Sequence, residues 1–597
     1  MNTNITKRLS DYRALLAKHG VAAAVVPQAD PHQSEYLAPH WQVRRYLSGF
    51  TGSAGDLVIL PDAAALWTDS RYFLQAAQQL EGTGIELMKD GLDGTPAIAD
   101  YLTANLKAGD TVGIDGMLFN AGAVEALRCR LQTKGIALKS DLDIIDEMWS
   151  DRPALPSDPI FIHDIRYAGE SAADKIGRIL ADARANGAEA VFESMLDNIA
   201  WTLNIRSNDV NHTPVATAFL YLSEGENVLF IDPAKLTDET VAYLASQHVK
   251  TRPYGDVKAF LAALPETWRV LVAPSQTAMQ LLDILGGRTV AVRFSGAGRF
   301  KAVKNDVQIE GIHAAMRRDG AAMVRSIMEI EHRVATGVPT GEIDIAGILR
   351  RQRAKGEGFK DESFGTIAGY GPHGAIVHYE ATAESSSMLE PHGLLLIDSG
   401  AQYPDGTTDI TRTIALGTPT ADERRDFTLV MKGHIALAQA VFPAGTRGAQ
   451  LDVLARQYLW KNGLSYLHGT GHGVGHFLGV HEGPQNIRLN YVDFPMLPGS
   501  ITSNEPGLYR ENVHGIRCEN LVLCRHKMTT EFGEFLCFET LTLCPWDRSL
   551  FDLSMMTAEE IAWVDSYHAT VAERLMPLME TDEERAWLKA RTQPLKA

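Results

Sequence analysis

The sequence predicts a mixed α/β protein built from three consecutive blocks. The chain has 597 residues, which is too long for a single hydrophobic core. Segments with helical periodicity alternate with segments of apolar strand character, as in α/β architectures. Two of the blocks also open in the same order: a helix, a short turn and an apolar strand. We therefore expect two copies of one α/β domain type, followed by a different third domain.

The first block covers residues 1–156. Arg8 to Lys18 has the pattern of an amphipathic helix, and Val21 to Val26 is an apolar strand. A second strand is predicted from Asp56 to Leu60. The proline-rich segment Arg152 to Pro156 is typical of a linker and ends the block.

The second block covers residues 157–302. Helices are predicted from Ala173 to Asn186 and from Asn198 to Asn204. Apolar strands follow each helix, at Ala188 to Phe192 and at Ala216 to Leu222. This order matches the start of the first block, although the two sequences share little identity.

The third block covers residues 303–597. Its predicted helices and strands are Asp319 to Thr336, Leu394 to Ile397, Ile410 to Leu416, Asp422 to Val441 and Gln450 to Trp460. Near the end, Thr557 and Glu560 form a capping box that starts a further helix. This helix is expected to pack on the rest of the block or on a partner subunit.

Composition and charge exclude several classes of protein. The net charge is −18, and such an acidic chain lacks the clustered Lys and Arg that phosphate binding needs. We therefore expect no nucleic-acid partner. Met1 to Gly20 has no apolar segment typical of a secretory signal, and no apolar run is long enough for a membrane span. The five cysteines form no CxxC pair or disulfide framework. The expected location is the cytoplasm.

Carboxylates in the third block lie where strands end or begin. Asp398 ends one apolar strand and Asp409 begins the next, and antiparallel pairing would place both on one face. Glu505 belongs to a further group, Asn504-Glu-Pro-Gly507. In a predicted strand from Ile516 to Cys524, alternation puts Arg517 and Glu519 on one face, so Arg517 can brace Glu519 or its neighbours.

The histidines His468 and His472 have the i, i+4 spacing of a helical zinc motif. Glycines at 469, 471, 473 and 475 would weaken any helix there, and the general-base glutamate of HExxH is missing. A glycine-flanked loop or strand that brings an imidazole close to a metal fits this sequence better.

A GxGxxG match at Gly369 to Gly374 has the wrong context for a nucleotide site. The residues that follow, Ala375 to Tyr379, predict a strand and not the helix whose N-terminus would bind phosphate.

Taken together, the third block offers four carboxylates and one imidazole as metal ligands. They are Asp398, Asp409, His472, Glu505 and Glu519. Oxygen-rich sites with a single nitrogen suit Mn²⁺ or a similar divalent ion. Five ligands are too many for one open catalytic ion, so we expect two ions, bridged by shared carboxylates and a water.

In this order and context, the five residues resemble the pita-bread metallopeptidase family. That family includes methionine aminopeptidase, prolidase, creatinase and aminopeptidase P. The stretches 398–403, 468–475, 480–484 and 304–311 are most similar to the large, three-domain cytosolic form of aminopeptidase P. The resemblance covers nearly the whole chain and implies two creatinase-type N-terminal domains followed by a pita-bread catalytic domain.

The resemblance also implies an activity and residue roles. The activity is hydrolysis of the bond before a proline in the second position of a peptide, by a hydroxide that bridges two ions, most often Mn²⁺, with Co²⁺ or Zn²⁺ as alternatives. Glu505 would carry the proton, His378 and His481 would stabilise the oxyanion, and His468 would orient the substrate. A homodimer is expected from the family alone.

Two other functions remain open at this point. One is a prolidase-type dipeptidase, which cleaves only Xaa-Pro dipeptides. The other is a non-catalytic pita-bread protein that binds peptides, although such relatives lack metal ligands and this chain has all five candidates.

Overall fold

The computed structural model describes residues 2–596 and has the mixed α/β architecture that the sequence predicts. The chain divides into two compact units. One contains Met1–Asp164 and Glu170–Arg299, and the other contains Ile165–Gly169 and Phe300–Ala597. Within residues 2–596, no helix combines the length and the apolar character needed to cross a membrane.

The first part of the chain forms a six-stranded sheet with helices. The strands are β1 (Ala23–Val26), β2 (Asp56–Ile59), β3 (Ala64–Thr68), β4 (Glu86–Lys89), β5 (Thr111–Gly113) and β6 (Ala137–Lys139). The helices are α1 (Asn2–Lys18), α2 (Val43–Ser48), α3 (Phe73–Gln79), α4 (Ile98–Asn105) and α5 (Ala121–Gln132). The strand order is β4-β3-β2-β1-β5-β6, with β1 antiparallel to β2 and parallel to β5.

The next part repeats this architecture. Its strands are β7 (Phe161–Ile162), β8 (Ala190–Glu193), β9 (Ile205–Arg206), β10 (Ala218–Ser223), β11 (Asn227–Ile231), β12 (Val249–Arg252), β13 (Val270–Val272) and β14 (Thr289–Ala291). Its helices are α6 (Ile165–Ala168), α7 (Ala172–Ala185), α8 (Leu196–Leu203), α9 (Asp238–Ser246), α10 (Val257–Ala262), α11 (Met279–Leu285) and α12 (Gly296–Lys301).

The six-stranded sheet of this second part has the order β12-β11-β10-β8-β13-β14. Strand β8 is antiparallel to β10 and parallel to β13, just as β1 is to β2 and β5. The outer pairs β11/β12 and β3/β4 are both parallel. Position by position, the two sheets share one topology, so the prediction of two copies of one domain type is confirmed.

The last part carries the candidate site. Its helices are α13 (Asp306–Ala335), α14 (Glu342–Arg353), α15 (Ala421–Ala438), α16 (Gly448–Trp460), α17 (Ala558–Leu575) and α18 (Asp582–Arg591). Its strands are β15 (Asp361–Glu362), β16 (Ile367–Tyr370), β17 (Leu394–Ser399), β18 (Ala401–Tyr403), β19 (Gly406–Thr407), β20 (Ile410–Ala415), β21 (Val441–Pro443), β22 (Gly471–Gly473), β23 (Glu482–Ile487), β24 (Ile501–Asn504), β25 (Gly507–Arg510), β26 (His514–Arg517), β27 (Asn520–Thr530) and β28 (Gly533–Thr540). Two sheets position the site: β16-β17-β20 and β21-β28-β27-β24-β22-β23.

Helix α17 shows how the sequence sets an element and its packing. The Thr557 side chain accepts from the backbone N–H of Glu560, and the Glu560 carboxylate accepts from the backbone N–H of Thr557, which is the predicted capping box. Ile561 and Val564 on its apolar face are buried, and the helix packs into a core that includes Trp546. The C-terminal helix therefore packs on the rest of the third block.

The strand predicted from Ala375 to Tyr379 does not form. A short 3₁₀ helix spans Gly371–Ala375, and a turn follows. This segment lies so close to strand β26 that a Cβ on Gly515 would meet the Gly374 carbonyl oxygen at 1.6 Å. Backbone packing between Gly374 and Gly515 therefore occurs where the sequence predicted a strand. As the sequence indicated, no α-helix directly follows the GxGxxG match at Gly369 to Gly374.

The capping box gives a first prediction. Thr557→Ala leaves one backbone N–H of α17 without its partner, so the free energy of unfolding should fall by about 1 kcal/mol. Thr570→Ala, on an exposed position of the same helix, should have no destabilising effect. Thermal and urea unfolding followed by circular dichroism would measure both. Equal stability of Thr557→Ala and wild type would contradict the assignment of the cap.

The buried Lys175 gives a second prediction. Its Nζ donates to the Trp201 carbonyl at 2.8 Å and to Asn204 Oδ1 at 2.6 Å, while burial, with repulsion from Arg206, lowers its pKa to about 7. The unfolded chain keeps this proton up to about pH 10.4. Raising the pH from 7 to 10 therefore favours the folded state, by at most about 1.4 kcal/mol per pH unit.

The measurement compares melting temperatures of wild type and Lys175→Met between pH 6 and 9.5. The wild type should gain stability relative to the variant above pH 7, and the difference should stay flat below it. Lys107→Met, at an exposed lysine, should track the wild type throughout. A pH-independent difference between wild type and Lys175→Met would show that the Lys175 pKa is not lowered.

Candidate metal centre

The first two candidate ligands come from a pair of antiparallel strands. Asp398 lies near the end of β17, directly opposite Thr411 of β20. Asp409 is the residue just before β20. The short connection through β18 and β19 returns the chain, so both carboxylates reach the same region. This is the arrangement that the strand pattern predicts for this pair.

The next two candidates face each other across a second strand pair. Glu505 follows β24 and Glu519 precedes β27, and these strands pair antiparallel with Asn504 opposite Asn520. The two glutamates are therefore neighbours at the same end of the ladder. Each is also tied through its backbone N–H: Glu505 to the Thr470 carbonyl at 2.8 Å, and Glu519 to the Thr411 carbonyl at 3.3 Å.

His472 lies at the centre of the short strand β22, between β23 and β24. Its flanking glycines are required by close backbone approach. A Cβ on Gly471 would lie 2.0 Å from the Ser503 carbonyl oxygen, and one on Gly473 would lie 2.2 Å from the Glu482 carbonyl oxygen. The glycines thus allow three strands to pack tightly around one imidazole, as expected for a strand and not a helix.

These residues form one cluster. Asp409, His472 and Glu519 each offer a ligand atom within 4.8 Å of the other two. His472 Nε2 is 3.4 Å from Asp409 Oδ2 and 3.5 Å from Glu505 Oε1. On its other side, His472 Nδ1 donates to the Gly473 carbonyl at 2.9 Å, so the lone pair of Nε2 faces the carboxylates when the ring is neutral.

Burial and mutual repulsion make this cluster costly without a cation. Burial, reinforced by Asp409 and Glu505, raises the pKa of Glu519 well above its usual value. Burial also raises the pKa of Glu505 to about 7. The pKa of Asp398 is raised by burial and by Asp409, although Arg517 acts to lower it. For His472, burial lowers the pKa, but Asp409 and Glu505 outweigh it and raise it to about 9.

Two buried carboxylate oxygens without hydrogen-bond partners are the strongest indication of a metal site. Asp398 Oδ1 and Asp409 Oδ1 are buried and have no hydrogen-bond partner among residues 2–596. A buried polar atom without a partner is unfavourable, and coordination to a cation would satisfy both. A donor set of four carboxylates and one imidazole suits hard or borderline divalent ions such as Mn²⁺. The residues present therefore fit the two ions that the sequence predicts.

Arg517 braces the cluster from behind. Its Nη2 donates to Asp398 Oδ2 at 2.6 Å, and its Nη1 donates to the Tyr509 hydroxyl at 2.8 Å. Sequence alternation placed Arg517 and Glu519 on one face of a continuous strand, but that strand is broken. β26 ends at Arg517 and β27 begins at Asn520, because the Cys518 N–H bonds the Pro506 carbonyl instead. Cys518 itself is fully buried, in keeping with a packing role.

The three further histidines make different contacts around the cluster. The His481 ring sits edge-to-face on His472, with ring centroids 4.3 Å apart. His468 Nε2 bonds the Tyr509 hydroxyl at 2.8 Å, and its Nδ1 bonds the Gly469 carbonyl at 2.8 Å. His378 lies in the turn after the 3₁₀ helix, and the carbonyl before it, that of Val377, accepts from Arg517 at 3.3 Å.

Several residues that hydrogen-bond the candidate ligands or their partners were not predicted from the sequence. Thr411 Oγ1 donates to Glu519 Oε2 at 2.7 Å. Ser503 Oγ accepts from the His472 N–H at 2.9 Å and donates to Glu505 Oε1 at 3.2 Å. Tyr509 links His468 to Arg517. The only available signal was proximity in sequence to the candidate ligands, since hydroxyl side chains on strands are too common to be distinctive.

Comparisons with known proteins cover nearly the whole chain. The profile of metallopeptidase family M24 matches residues 310–526, and the C-terminal region of peptidase M24 matches 534–595. The Creatinase/Prolidase N-terminal domain matches twice, at 8–148 and 151–308.

Individual relatives match at full length. The probable Xaa-Pro aminopeptidase P of Aspergillus flavus is 40% identical over 611 residues, covering 99% of this chain and 93% of that protein. Aminopeptidase P2 of Arabidopsis thaliana is 40% identical over 630 residues, covering 99% and 89%. The crystal structure of X-prolyl aminopeptidase from Caenorhabditis elegans, described as a cytosolic enzyme with a di-nuclear active site, has a TM-score of 0.95 at 32% identity and 99% coverage of both chains.

The cluster predicts a measurable metal stoichiometry. Wild-type protein dialysed against Mn²⁺ should hold about two ions per chain. Asp409→Asn removes a carboxylate charge from the centre of the cluster and should lose most of this metal. Mass spectrometry of the dialysed protein for manganese would measure both. Asp405→Asn is the matched control, because Asp405 lies in the same connection but pairs with Arg318. Full metal content in Asp409→Asn would contradict the assignment.

Proposed function

Because this chain belongs to the aminopeptidase P family of M24 metallopeptidases, we propose that it hydrolyses the bond between the first residue of a peptide and a proline at the second position. The observation that carries the proposal is the convergence of two carboxylates on one imidazole. His472 Nε2 lies 3.4 Å from Asp409 Oδ2 and 3.5 Å from Glu505 Oε1, and Glu519 offers a ligand atom within 4.8 Å of those of Asp409 and His472. The full-length similarity to proteins named Xaa-Pro aminopeptidase P supports the substrate class.

The cluster would hold two divalent ions. Asp398, Asp409 and Glu519 would hold one, and Asp409, His472, Glu505 and Glu519 the other. Mn²⁺ is the ion that we propose, with Co²⁺ and Zn²⁺ as alternatives, because oxygen ligands dominate. When bound, such ions make water a nucleophile at neutral pH and polarise the scissile carbonyl. The buried, unpartnered oxygens of Asp398 and Asp409 support this arrangement.

The remaining chemistry belongs to side chains around the cluster. Glu505 would pass a proton from the attacking water to the leaving proline nitrogen. His481, held edge-to-face on His472, and His378 would donate hydrogen bonds to the oxygen that gains negative charge. His468 would orient the substrate. Its ring nitrogens bond the Gly469 carbonyl and the Tyr509 hydroxyl, so it would also hold Tyr509, which in turn bonds Arg517, the partner of Asp398.

Proline at the second position is proposed from the similarity to Xaa-Pro aminopeptidases, and the chemistry of the bond is compatible with it. An Xaa-Pro amide has no N–H, and the ring restricts the residue before it. A site for such a bond needs no acceptor opposite that nitrogen. The free amino group of the substrate, which is a cation, would be attracted to the excess of carboxylates and would fix the cut after the first residue.

Organisation and location complete the proposal. We place the domain boundaries after residues 156 and 302, with a catalytic domain at 303–597 and creatinase-type domains before it. The protein would act on peptides in the cytoplasm. The support for this location is that the C. elegans relative is described as a cytosolic enzyme. It would act as a homodimer, without nucleic acid or membrane as a partner.

Cleavage of Arg-Pro-Pro and Arg-Pro in the presence of Mn²⁺ tests the activity. The tripeptide should release arginine, the Asp409→Asn variant should be inactive, and the Asp405→Asn control should retain activity. Mass spectrometry of the products would measure each. Activity on Arg-Pro alone would show a prolidase-type dipeptidase. Binding of the tripeptide by the Mn²⁺-loaded protein with no cleavage of either substrate would show a non-catalytic peptide-binding protein.

A further inference from the structure

Arg412 connects the candidate metal centre to the C-terminal region. It follows Thr411 in β20, so alternation sends the two side chains to opposite faces of the strand. Thr411 faces the cluster, where its hydroxyl donates to the Glu519 carboxylate. Arg412 faces away from the cluster and is fully buried. A buried guanidinium at this position must find its hydrogen-bond acceptors in the surrounding protein.

One nitrogen of Arg412 holds the backbone of the metal centre. Nη1 donates to the Glu519 carbonyl at 2.6 Å and to the Thr411 carbonyl at 2.9 Å. Glu519 lies in the gap between β26 and β27, so no continuous strand ladder holds it. Its own N–H makes only a long bond of 3.3 Å to the Thr411 carbonyl. The bond from Arg412 is therefore the shorter of the two that restrain this ligand's backbone.

The other side of the guanidinium is held by residues near the C-terminus. Nη2 donates to the Cys544 carbonyl at 2.8 Å and to the Tyr567 hydroxyl at 2.9 Å, and also to Asn520 Oδ1 at 2.8 Å. The guanidinium carbon lies 3.6 Å from the centroid of the Trp546 ring. Cys544, Trp546 and Tyr567 all belong to the segment that matches the C-terminal region of peptidase M24.

The acceptors of Arg412 are all neutral. They are three backbone carbonyls, one amide oxygen and one phenol oxygen. With no carboxylate to fix the guanidinium, its position depends on this set of hydrogen bonds and on the aromatic face of Trp546. Tyr567 is the member of the set that comes from helix α17, and its hydroxyl also lies 2.9 Å from the Cys544 carbonyl.

From this arrangement we infer that the C-terminal region is a positioning element for the metal centre, acting through Tyr567 and Trp546 on Arg412 and through Arg412 on the backbone of Glu519. The inference rests on the metal ligands of the proposed function. Partners that orient metal ligands commonly change metal affinity when they are removed, by about 10- to 100-fold. Tyr567 touches no candidate ligand, so any effect on metal binding must pass through Arg412 and its neighbours.

The test is Mn²⁺ binding to Tyr567→Phe, which deletes one oxygen and keeps the ring. The metal-stripped full chain is titrated with Mn²⁺ alone by isothermal titration calorimetry. The dissociation constant of at least one ion should be about tenfold higher in Tyr567→Phe than in the wild type. Val564→Ala is the matched control. Val564 is a fully buried residue on the same helix, so its loss should lower the melting temperature while Mn²⁺ affinity stays within about twofold, as expected for packing loss alone.

Two results would overturn the inference. One is unchanged Mn²⁺ affinity in Tyr567→Phe. The other is a loss of Mn²⁺ affinity in both variants that follows the drop in their melting temperatures, which would show a general structural effect. The wild-type titration separates this inference from the proposed function, because a wild type that binds no Mn²⁺ would remove the metal centre itself.

Discussion

Mutual repulsion among buried carboxylates is the constraint on which the catalytic unit depends. Four acidic side chains lie around one imidazole, and burial raises the pKa of three of them, Asp398, Glu505 and Glu519. The residues are Asp398, Asp409, Glu505, Glu519 and His472. Such a cluster is favourable only when cations balance it, because an isolated buried charge is very costly. Arg517 supplies one fixed positive charge beside Asp398, and divalent ions would supply the rest.

The surrounding fold keeps these mutually repelling carboxylates close together. Two antiparallel strand pairs bring the carboxylates together, with Asp398 inside β17 and the other three directly beside strand ends. Glycines beside His472 let three strands approach closely. Hydroxyls from Thr411 and Ser503 donate to Glu519 and Glu505, which orients these carboxylates before any ion binds. Preorganisation of this kind lowers the cost of assembling a metal centre.

Much of the fold could be predicted because its signals are local. The capping box at Thr557, the apolar run that became β17 and the antiparallel relation of the strands carrying Asp398 and Asp409 are all visible within short stretches of sequence. The failures were long-range. The strand predicted through Cys518 breaks because its backbone bonds Pro506 instead of continuing the ladder.

Long-range partners in the site were also invisible in the sequence. Tyr567 reaches Arg412 across 155 positions, and Arg517 reaches Asp398 across 119. Alternation predicted that Arg517 would brace a ligand, but not which one. Residue type and spacing therefore predicted the candidate ligands, whereas the groups that orient them depended on how distant elements pack.

The four carboxylates and His472 are proposed to gather around two divalent ions. Anomalous X-ray diffraction at the manganese edge, from crystals grown with Mn²⁺, tests it most directly. Two peaks roughly 3.5 Å apart are expected, both within coordination distance of Asp409 and Glu519. Strong peaks elsewhere, or none between these carboxylates at saturating Mn²⁺, would contradict it.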